Sequence, residues 1–442
     1  MASPDDDDVS FEHAHGSARV PGARCASQRR TSSPALGNRC TPGGRPHGVN
    51  GVQRRGLVNA SIAAVATFAI GSAVVFAAGG PEDVATPTPS ASPSASPTPT
   101  PSCTPTWDVV RSANAAESPT TLLGVTAVTS AEAWAVGGIG EPDAPTAVAI
   151  QRWDGTRWSA SRAPSPGAFV NELRAVDASE PNDVWAVGRT SSGFGEQPLI
   201  LHYDGTEWIH QELPAELDGV LNGVAAVSPT DVWAVGYAGD PALSLERALV
   251  LHWDGTAWAD VEIARAIGGG RAALVDIDGV SPTDLWAVGY HRIQPAILRF
   301  DGEAWSRSPT QVQGTLEAVE AFATSEVWAV GSPIQRFDGE TWSEAPVTRE
   351  GAELVDVAAI GGLDIWAVGS RPSKEEGTTH AAVVRYSGRR WVPVDGPSVA
   401  GSDTLTAVDA LPDGTLLAVG WKDVDVERET LAIRGASCPA AD

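Results

Sequence analysis

A six-residue stretch, DVWAVG from Asp231 to Gly236, decides the fold because near-copies of it recur along the rest of the chain. Its core, WAVG, begins at six tryptophans and, in a degenerate copy that reads LAVG, at one leucine: Trp134, Trp185, Trp233, Trp286, Trp328, Trp366 and Leu417. The copies lie about 47 residues apart, within the period of 40 to 50 residues that is typical of repeated β-sheet units.

A second motif follows each of the first six copies: an aromatic residue, Asp-Gly and then Trp, as in Trp253-Asp254-Gly255 with Trp258. In the sixth copy Ser387 replaces the Asp. Asp-Gly is a hairpin turn, and the flanking β-branched and aromatic residues favour strands.

Each repeat therefore predicts four short strands, with strand a typified by Leu221–Val227, strand b by Asp231–Gly236, strand c by Ala248–Trp253 and strand d starting near Trp258. Helical periodicity is missing. The array predicts an all-β fold, a seven-bladed β-propeller over residues 107–442.

The two ends of the array are complementary. The seventh repeat lacks strand d, whereas residues 107–110 form an orphan strand ahead of the first strand a. We expect this N-terminal strand to close the last blade, because closure removes two free sheet edges. Cys103 and Cys438 flank these ends, which predicts a disulfide if the domain is exported; two unpaired thiols are the alternative.

Three segments precede the propeller. Residues 1–56 are rich in Gly, Ser and Pro, which predicts a disordered cytoplasmic tail. Residues 57–78 are uncharged and long enough to span a bilayer, and Arg54 and Arg55 before them predict a cytoplasmic N-terminus. Residues 79–106 predict an extended Pro/Ser/Thr-rich stalk. We expect a single-pass membrane protein with an extracytoplasmic propeller; a secretory signal that is cleaved is the alternative.

Charge excludes some classes of protein. The chain has 30 Lys and Arg against 55 Asp and Glu, a formal net charge of −25. Such an excess of acid argues against a nucleic-acid-binding protein and against a protein that lies on an anionic membrane surface.

The repeats resemble those of secreted and surface bacterial β-propellers with the signature D-V-W-A-V-G … H-[YW]-D-G-T-x-W. They are loosely similar to Asp-box and kelch-type propellers. The resemblance covers residues 107–442 and is best at Asp183–Gly188, Leu201–Trp208, Asp231–Gly236 and Leu251–Trp258. Glu132 and Glu326 depart from it, since Asp is the signature residue there. The resemblance implies a propeller at the cell surface and is nearly silent on the ligand.

Loop lengths indicate where a ligand binds. The a–b and c–d turns keep a constant length, whereas the b–c loops and d–a connections vary, and the variable connections open on one face of a propeller. Because binding residues concentrate on variable loops of a rigid scaffold, we predict that this face binds the ligand. The candidate residues follow the WAVG motifs: Arg189, Tyr237, Tyr290, His291, Arg371 and Trp421. The alternative is that they are ordinary loop residues.

Strand a carries a second candidate set. When the strands are aligned on their leading Leu, the fifth position is acidic in four repeats: Asp177, Asp278, Glu320 and Asp409. Asp276 and Asp356 lie two residues earlier, on the same side of the strand. If strand a is innermost, these acids approach a central channel and could bind Ca²⁺. We favour the alternative that they are hydrated or bond to the backbone of the next blade.

The sequence contains no nucleophile elbow, P-loop, zinc-protease helix or dinucleotide-binding motif. We therefore assign no catalytic residues and no cofactor other than the possible Ca²⁺. The expected function is that of a monomeric binding or scaffold module for an envelope protein or a cell-wall glycan. The alternative is a glycan-processing hydrolase or lyase with catalytic carboxylates on the variable face.

Overall fold

The computed structural model describes residues 105–436, except for 116–117, 194, 215–216, 240–244, 348–350, 362–363, 374–376, 387, 397–398, 400 and 425–426. The predicted tail, the membrane segment 57–78, nearly all of the stalk and both Cys103 and Cys438 lie outside the described residues. Over the described ranges, no helix has the length and apolar character needed to cross a membrane.

The described chain forms seven four-stranded antiparallel sheets, which are the predicted blades. Blade 1 comprises β2 (Thr120–Thr129), β3 (Glu132–Glu141), β4 (Ala144–Trp153) and β5 (Trp158–Ala160). Blade 2 comprises β6 (Val170–Glu180), β7 (Asp183–Ser191), β8 (Gln197–Tyr203) and β9 (Trp208–His210). Blade 3 comprises β10 (Val220–Ser228), β11 (Asp231–Ala238), β12 (Arg247–Trp253) and β13 (Trp258–Asp260). Blade 4 comprises β14 (Ala272–Ser281), β15 (Asp284–His291), β16 (Gln294–Phe300) and β17 (Trp305–Arg307).

Blade 5 comprises β18 (Thr315–Ala323), β19 (Glu326–Ser332), β20 (Gln335–Phe337) and β21 (Trp342–Glu344). Blade 6 comprises β22 (Glu353–Ala359), β23 (Ile365–Pro372), β24 (Thr379–Tyr386) and β25 (Trp391–Val394). Blade 7 comprises β26 (Asp403–Ala410), β27 (Thr415–Val424), β28 (Glu427–Ala436) and the N-terminal β1 (Thr106–Val109). A one-turn helix, α1 (Ala264–Ile267), in the connection between blades 3 and 4 departs from the all-β expectation.

The predicted closure is confirmed. β1 pairs antiparallel with β28, from Thr106 opposite Ala436 to Val109 opposite Ile433. Trp107 takes the place of the missing strand-d tryptophan and contacts Trp366 of blade 6 edge-on, with ring centroids 5.7 Å apart. The N-terminal strand thus supplies both the hydrogen bonds and the aromatic ring that the last blade lacks.

Tryptophan packing joins one blade to the next. Trp134 of blade 1 contacts Tyr203 and Trp208 of blade 2, with ring centroids 4.7 and 5.3 Å away. The strand-b tryptophans of blades 2 to 5 repeat this contact with the next blade. Each such aromatic pair contributes about 0.5–1.5 kcal/mol beyond the burial of its area.

The glycine of WAVG is required by a bulge in strand a. In β10 the pairing register shifts between Leu221 and Gly223. A side-chain carbon on Gly236 would overlap the carbonyl oxygen of Val220, and the corresponding glycine meets the same obstacle in every blade. The motif therefore ends on the residue that allows the two inner strands to approach closely.

The Asp and His that recur at fixed positions in the repeat hold the strand-b tryptophan in place. Asp231 Oδ1 accepts hydrogen bonds from Trp233 Nε1 at 2.8 Å and lies 2.8 Å from His252 Nε2. The His252 ring stacks on Trp233 at 4.0 Å. His202 does the same in blade 2, and arginines occupy this position over the tryptophans of four other blades: Arg152, Arg299, Arg336 and Arg385. These histidines therefore have a structural role.

Candidate functional site: the variable face and the central channel

The two faces of the ring differ as the loop lengths predict. The b–c loop of blade 3 runs from Ala238 to Arg247, whereas that of blade 4 runs from His291 to Gln294. The c–d turns have one length in all six blades that contain them. The a–b connections keep the same spacing in sequence, although the paired strands end earlier in blade 6, at Ala359 and Ile365, and in blade 7, at Ala410 and Thr415. We call the side of the b–c loops and d–a connections the variable face, and the opposite side the uniform face.

A cavity of about 640 Å³ occupies the centre of the ring toward the variable face. Strand a of every blade contributes to its wall through the residue that directly follows the leading Leu: Leu123, Arg174, Asn222, Val275, Glu317, Val355 and Thr406. Tyr237 and Tyr290 reach it from strand b of blades 3 and 4. We call this cavity the upper chamber.

A second cavity of about 320 Å³, the lower chamber, lies toward the uniform face and is walled by carboxylates. The acids on its wall are Asp177, Asp276, Asp278, Glu320, Asp356 and Asp409. Asp276 and Asp356 line both chambers. Strand a is therefore innermost, and the predicted acids do face the channel.

The channel acids tie neighbouring blades together through backbone N–H groups. Asp177 of blade 2 accepts hydrogen bonds from Ala226 N of blade 3 and Ala178 N of its own strand, both at 2.7 Å. Equivalent inter-blade bonds of 2.7–2.9 Å reach the carboxylates of Asp276, Asp278, Asp356 and Asp409 from Val319, Ala321, Val408 and Ala127. These are the bonds to the backbone of the next blade that the sequence analysis favoured over a cation site. Within the part of the chain that the structure describes, no group of three or more His, Cys, Asp or Glu is arranged to hold a metal ion, and Ca²⁺ binding stays a prediction.

Burial raises the pKa of all six channel acids. The pKa of Asp276 and of Asp409 rises to about 7 and that of Asp278 to about 6, while Asp177, Glu320 and Asp356 are also shifted upward. Neighbouring carboxylates add to the effect, as Asp276 does at Asp356. Protons bind to this channel near neutral pH because the carboxylates are crowded and shielded from water.

Arg189 is held by protein groups. Its Nε donates to Glu172 Oε2 at 2.7 Å, Nη1 pairs with Glu196, and Nη2 donates to the carbonyl of Asp143 in blade 1 at 3.3 Å. Glu172 also receives Arg174 Nε at 3.0 Å. Arg189 therefore joins blades 1 and 2 and holds Glu172 on the chamber wall, and its contact with a ligand stays a prediction.

A hydrogen-bonded chain continues from Arg174 across three blades. Arg174 Nη1 donates to Asn222 Oδ1 at 2.8 Å, and Asn222 Nδ2 donates to the carbonyl of Leu274 at 2.8 Å. Blades 2, 3 and 4 are thus fixed relative to one another along the chamber wall.

Of the six predicted ligand residues, Tyr237 and Tyr290 alone line the upper chamber. The Tyr290 hydroxyl donates to Glu246 Oε1 at 3.1 Å, and the Arg271 guanidinium lies 5.6 Å from the Tyr290 ring centroid. Burial raises the pKa of both tyrosines, so they remain neutral hydrogen-bonding rings at physiological pH.

The other three predicted ligand residues lie away from the chamber. His291 Nε2 contacts the carbonyl of Gly269 at 3.1 Å. Arg371 lies on β23 opposite His380. Trp421 on β27 is covered by the guanidinium of Arg428, 3.6 Å from its ring centroid.

Sequence reasoning missed a ring of residues to which every blade contributes one member of the chamber wall. They occupy the second position of the aligned strands a, where the repeats read Leu123, Arg174, Asn222, Val275, Glu317, Val355 and Thr406. This position differs in nearly every repeat, in contrast to the constant Leu before it. This contrast between a variable position and a constant neighbour is the sequence signal that could have identified the wall residues.

Large apolar side chains are exposed on the variable face of blades 2 to 4. Phe169 precedes β6 and is 61% exposed, Leu245 precedes β12 and is 67% exposed, and Ile293 lies between β15 and β16 and is 92% exposed. The blades that supply Arg174, Asn222 and the two tyrosines therefore also present apolar surface.

Comparisons with known proteins identify the architecture. No protein-family model and no curated protein matches the sequence. Among solved structures, YCF48 bound to a D1 peptide matches with a TM-score of 0.51 at 14% identity, over 75% of this chain and 95% of that one. YCF48 from Cyanidioschyzon merolae matches with 0.51 at 13% identity, over 75% and 99%. The WD40 repeats of RRP9 match with 0.50 at 12% identity, over 74% and 97%. Likeness at such low identity concerns the fold alone: the described chain is a seven-bladed β-propeller.

Proposed function

We propose that this chain is a membrane-anchored, extracytoplasmic binding or scaffold module, which holds an envelope protein or a cell-wall glycan on the variable face of its propeller. The observation that carries the proposal is the chemical difference between the two faces. The variable face opens onto a chamber of about 640 Å³ with two tyrosines, whereas the uniform face repeats one turn. A concave site with a few convergent polar groups is the usual form of a binding site.

The comparisons support the binding role in one respect. YCF48, a propeller of similar architecture, has been solved with a D1 peptide bound. A scaffold of this shape is thus able to hold a polypeptide. The anchor and the extracytoplasmic location rest on the uncharged segment 57–78 and the stalk that follows it.

A glycan-processing hydrolase or lyase is the second candidate. Asp276 lines the upper chamber and its pKa is raised to about 7, as in many acid catalysts. Its carboxylate also accepts a backbone N–H from the next blade, which gives the group a structural role. We therefore rank binding first.

The test is a ligand screen of the full-length chain, purified in detergent, against cell-wall glycans and purified envelope proteins. We expect a ligand that raises the melting temperature and is bound at least about tenfold more weakly by Tyr237→Ala. Phe322→Ala on the uniform face is the matched control, since Phe322 is also exposed and is expected to leave binding unchanged. Equal losses in the two variants would contradict the assignment of the face, and release of shortened glycan would favour the enzyme.

A further inference from the structure

The charges on the wall of the upper chamber are not balanced. Its charged residues are Glu172, Arg174, Asp276, Glu317 and Asp356. Glu172 is neutralised by Arg174 and Arg189. Among the described residues, none forms an ion pair with Asp276, Glu317 or Asp356. The chamber therefore offers three carboxyl groups to a ligand and no unpaired cation.

The variable face carries side chains that suit a polypeptide. Phe169 and Ile293 are exposed on the same face, on blades 2 and 4, and the aromatic rings of Tyr237 and Tyr290 line the chamber. Exposed apolar patches with aromatic groups and a polar surround are typical of protein-binding surfaces. Aliphatic side chains such as Ile293 match the apolar side chains of a peptide better than the hydroxyl groups of a sugar.

We infer that the variable face binds an extended polypeptide segment that places a lysine or arginine side chain in the upper chamber, beside Asp276, Glu317 and Asp356, and rests apolar side chains on Phe169 and Ile293. This inference rests on the proposed binding function and names its partner. The attraction between a cation and a partly buried carboxylate cluster selects the partner by charge, and the flanking apolar contacts fix its direction.

Glu317 is the acid that tests the inference with least disturbance of the ring. Asp276 and Asp356 accept backbone N–H groups from the next blade, so their substitution weakens blade contacts. Glu317 instead lies beside Thr315 of its own strand, which lowers its pKa against the effect of burial. Burial raises its pKa, and a bound cation would favour its charged form.

The experiment measures fluorescence anisotropy of labelled peptides with the full-length chain in detergent. One peptide has a central arginine between leucines, and its partner has citrulline, which has the same shape without the charge. We expect the arginine peptide to bind at least about tenfold more tightly, and the difference to shrink at high salt. Glu317→Gln is expected to weaken binding of the arginine peptide about tenfold and to leave the citrulline peptide unchanged.

The control is Glu303→Gln, which removes the same charge from an exposed turn on the uniform face. Equal binding of the two peptides, or equal losses in Glu303→Gln and Glu317→Gln, overturns the inference. If both peptides bind equally and Tyr237→Ala abolishes binding, the proposed function stands with a neutral partner. If a glycan binds and neither peptide does, the proposed function stands and the inference fails. If no ligand of any class binds, both fail.

Discussion

At the residue scale, the crowding of buried carboxylates in the channel makes the folded protein less stable when these acids are charged. An unfolded Asp has a pKa near 3.9 and folded Asp276 one of about 7, so between these values the folded chain binds more protons than the unfolded chain. The free energy of unfolding therefore falls as pH rises through this window. The turn carboxylates Asp154, Asp204 and Asp254 act oppositely: their pKa values of about 2 contribute stability above pH 4 that is lost as pH falls toward 2.

These signs predict a higher melting temperature near pH 5 than near pH 8. Asp276→Asn is expected to flatten the decline between these pH values, because the amide oxygen still accepts the N–H of Val319 and no charge has to be held in the channel. Thermal unfolding of both proteins across this range checks it. The exposed Glu303→Gln is the control and should follow the parent curve; a parent melting temperature that rises from pH 5 to pH 8 would contradict the argument.

The glycine that ends each WAVG motif gives a second prediction at this scale. In Gly236→Ala the new methyl group would overlap the Val220 carbonyl, so β10 and β11 must separate. We expect a loss of about 1–3 kcal/mol in the free energy of unfolding, measured by urea denaturation. Gly193→Ala is the matched control, since nothing lies within 4 Å of its added carbon. Equal effects of the two substitutions would rule out the close approach as the cause.

At the scale of elements, the sequence was most informative where one residue type recurs because it has the same structural role in each blade. The blade number, the strand order, the Asp-Gly turns and the closing strand all follow from periodic Trp, Gly and Asp residues, whose roles are local. The chamber was less predictable, because its wall combines residues from seven strands that are distant in the sequence. Arg189 shows the limit: Glu172 and Glu196 hold its guanidinium, and neither pairing can be read from spacing.

β1 provides the prediction for an element. Trp107 is 7% exposed and packs with Trp366, Leu416 and Leu431 in one core cluster. Trp107→Ala is expected to lower the free energy of unfolding by about 3–5 kcal/mol and to expose the edge of β28. Urea denaturation and aggregation on mild heating measure the two effects. Val109→Ala on the same strand, where the side chain is 48% exposed, should change little; a similar loss there would mean that strand pairing rather than the indole closes the ring.

At the scale of the whole molecule, the two faces of the ring have different roles, and the ring closes at a single junction, the seam. The uniform face repeats the turns that build blades, and the variable face carries the differences among them. The seam lies where β1 meets β28 over four residue pairs, and Val110, Ser112 and Asn114 extend it with hydrogen bonds to Ala432 and Thr430. A covalent bond across the seam would prevent the two ends of the propeller from separating.

The ends of the seam make a disulfide testable. Thr106 lies opposite Ala436, Cys103 is three residues before Thr106, and Cys438 is two residues after Ala436. Each residue extends at most about 3.6 Å, so the two short segments allow the cysteines to meet. We expect non-reducing peptide mapping of the full-length chain to give a Cys103–Cys438 cross-linked peptide, and reduction or Cys438→Ser to destabilise the fold by about 2–4 kcal/mol. Cys25→Ser should have no effect, and full alkylation of Cys103 and Cys438 without reductant would leave the seam to hydrogen bonds and Trp107 alone.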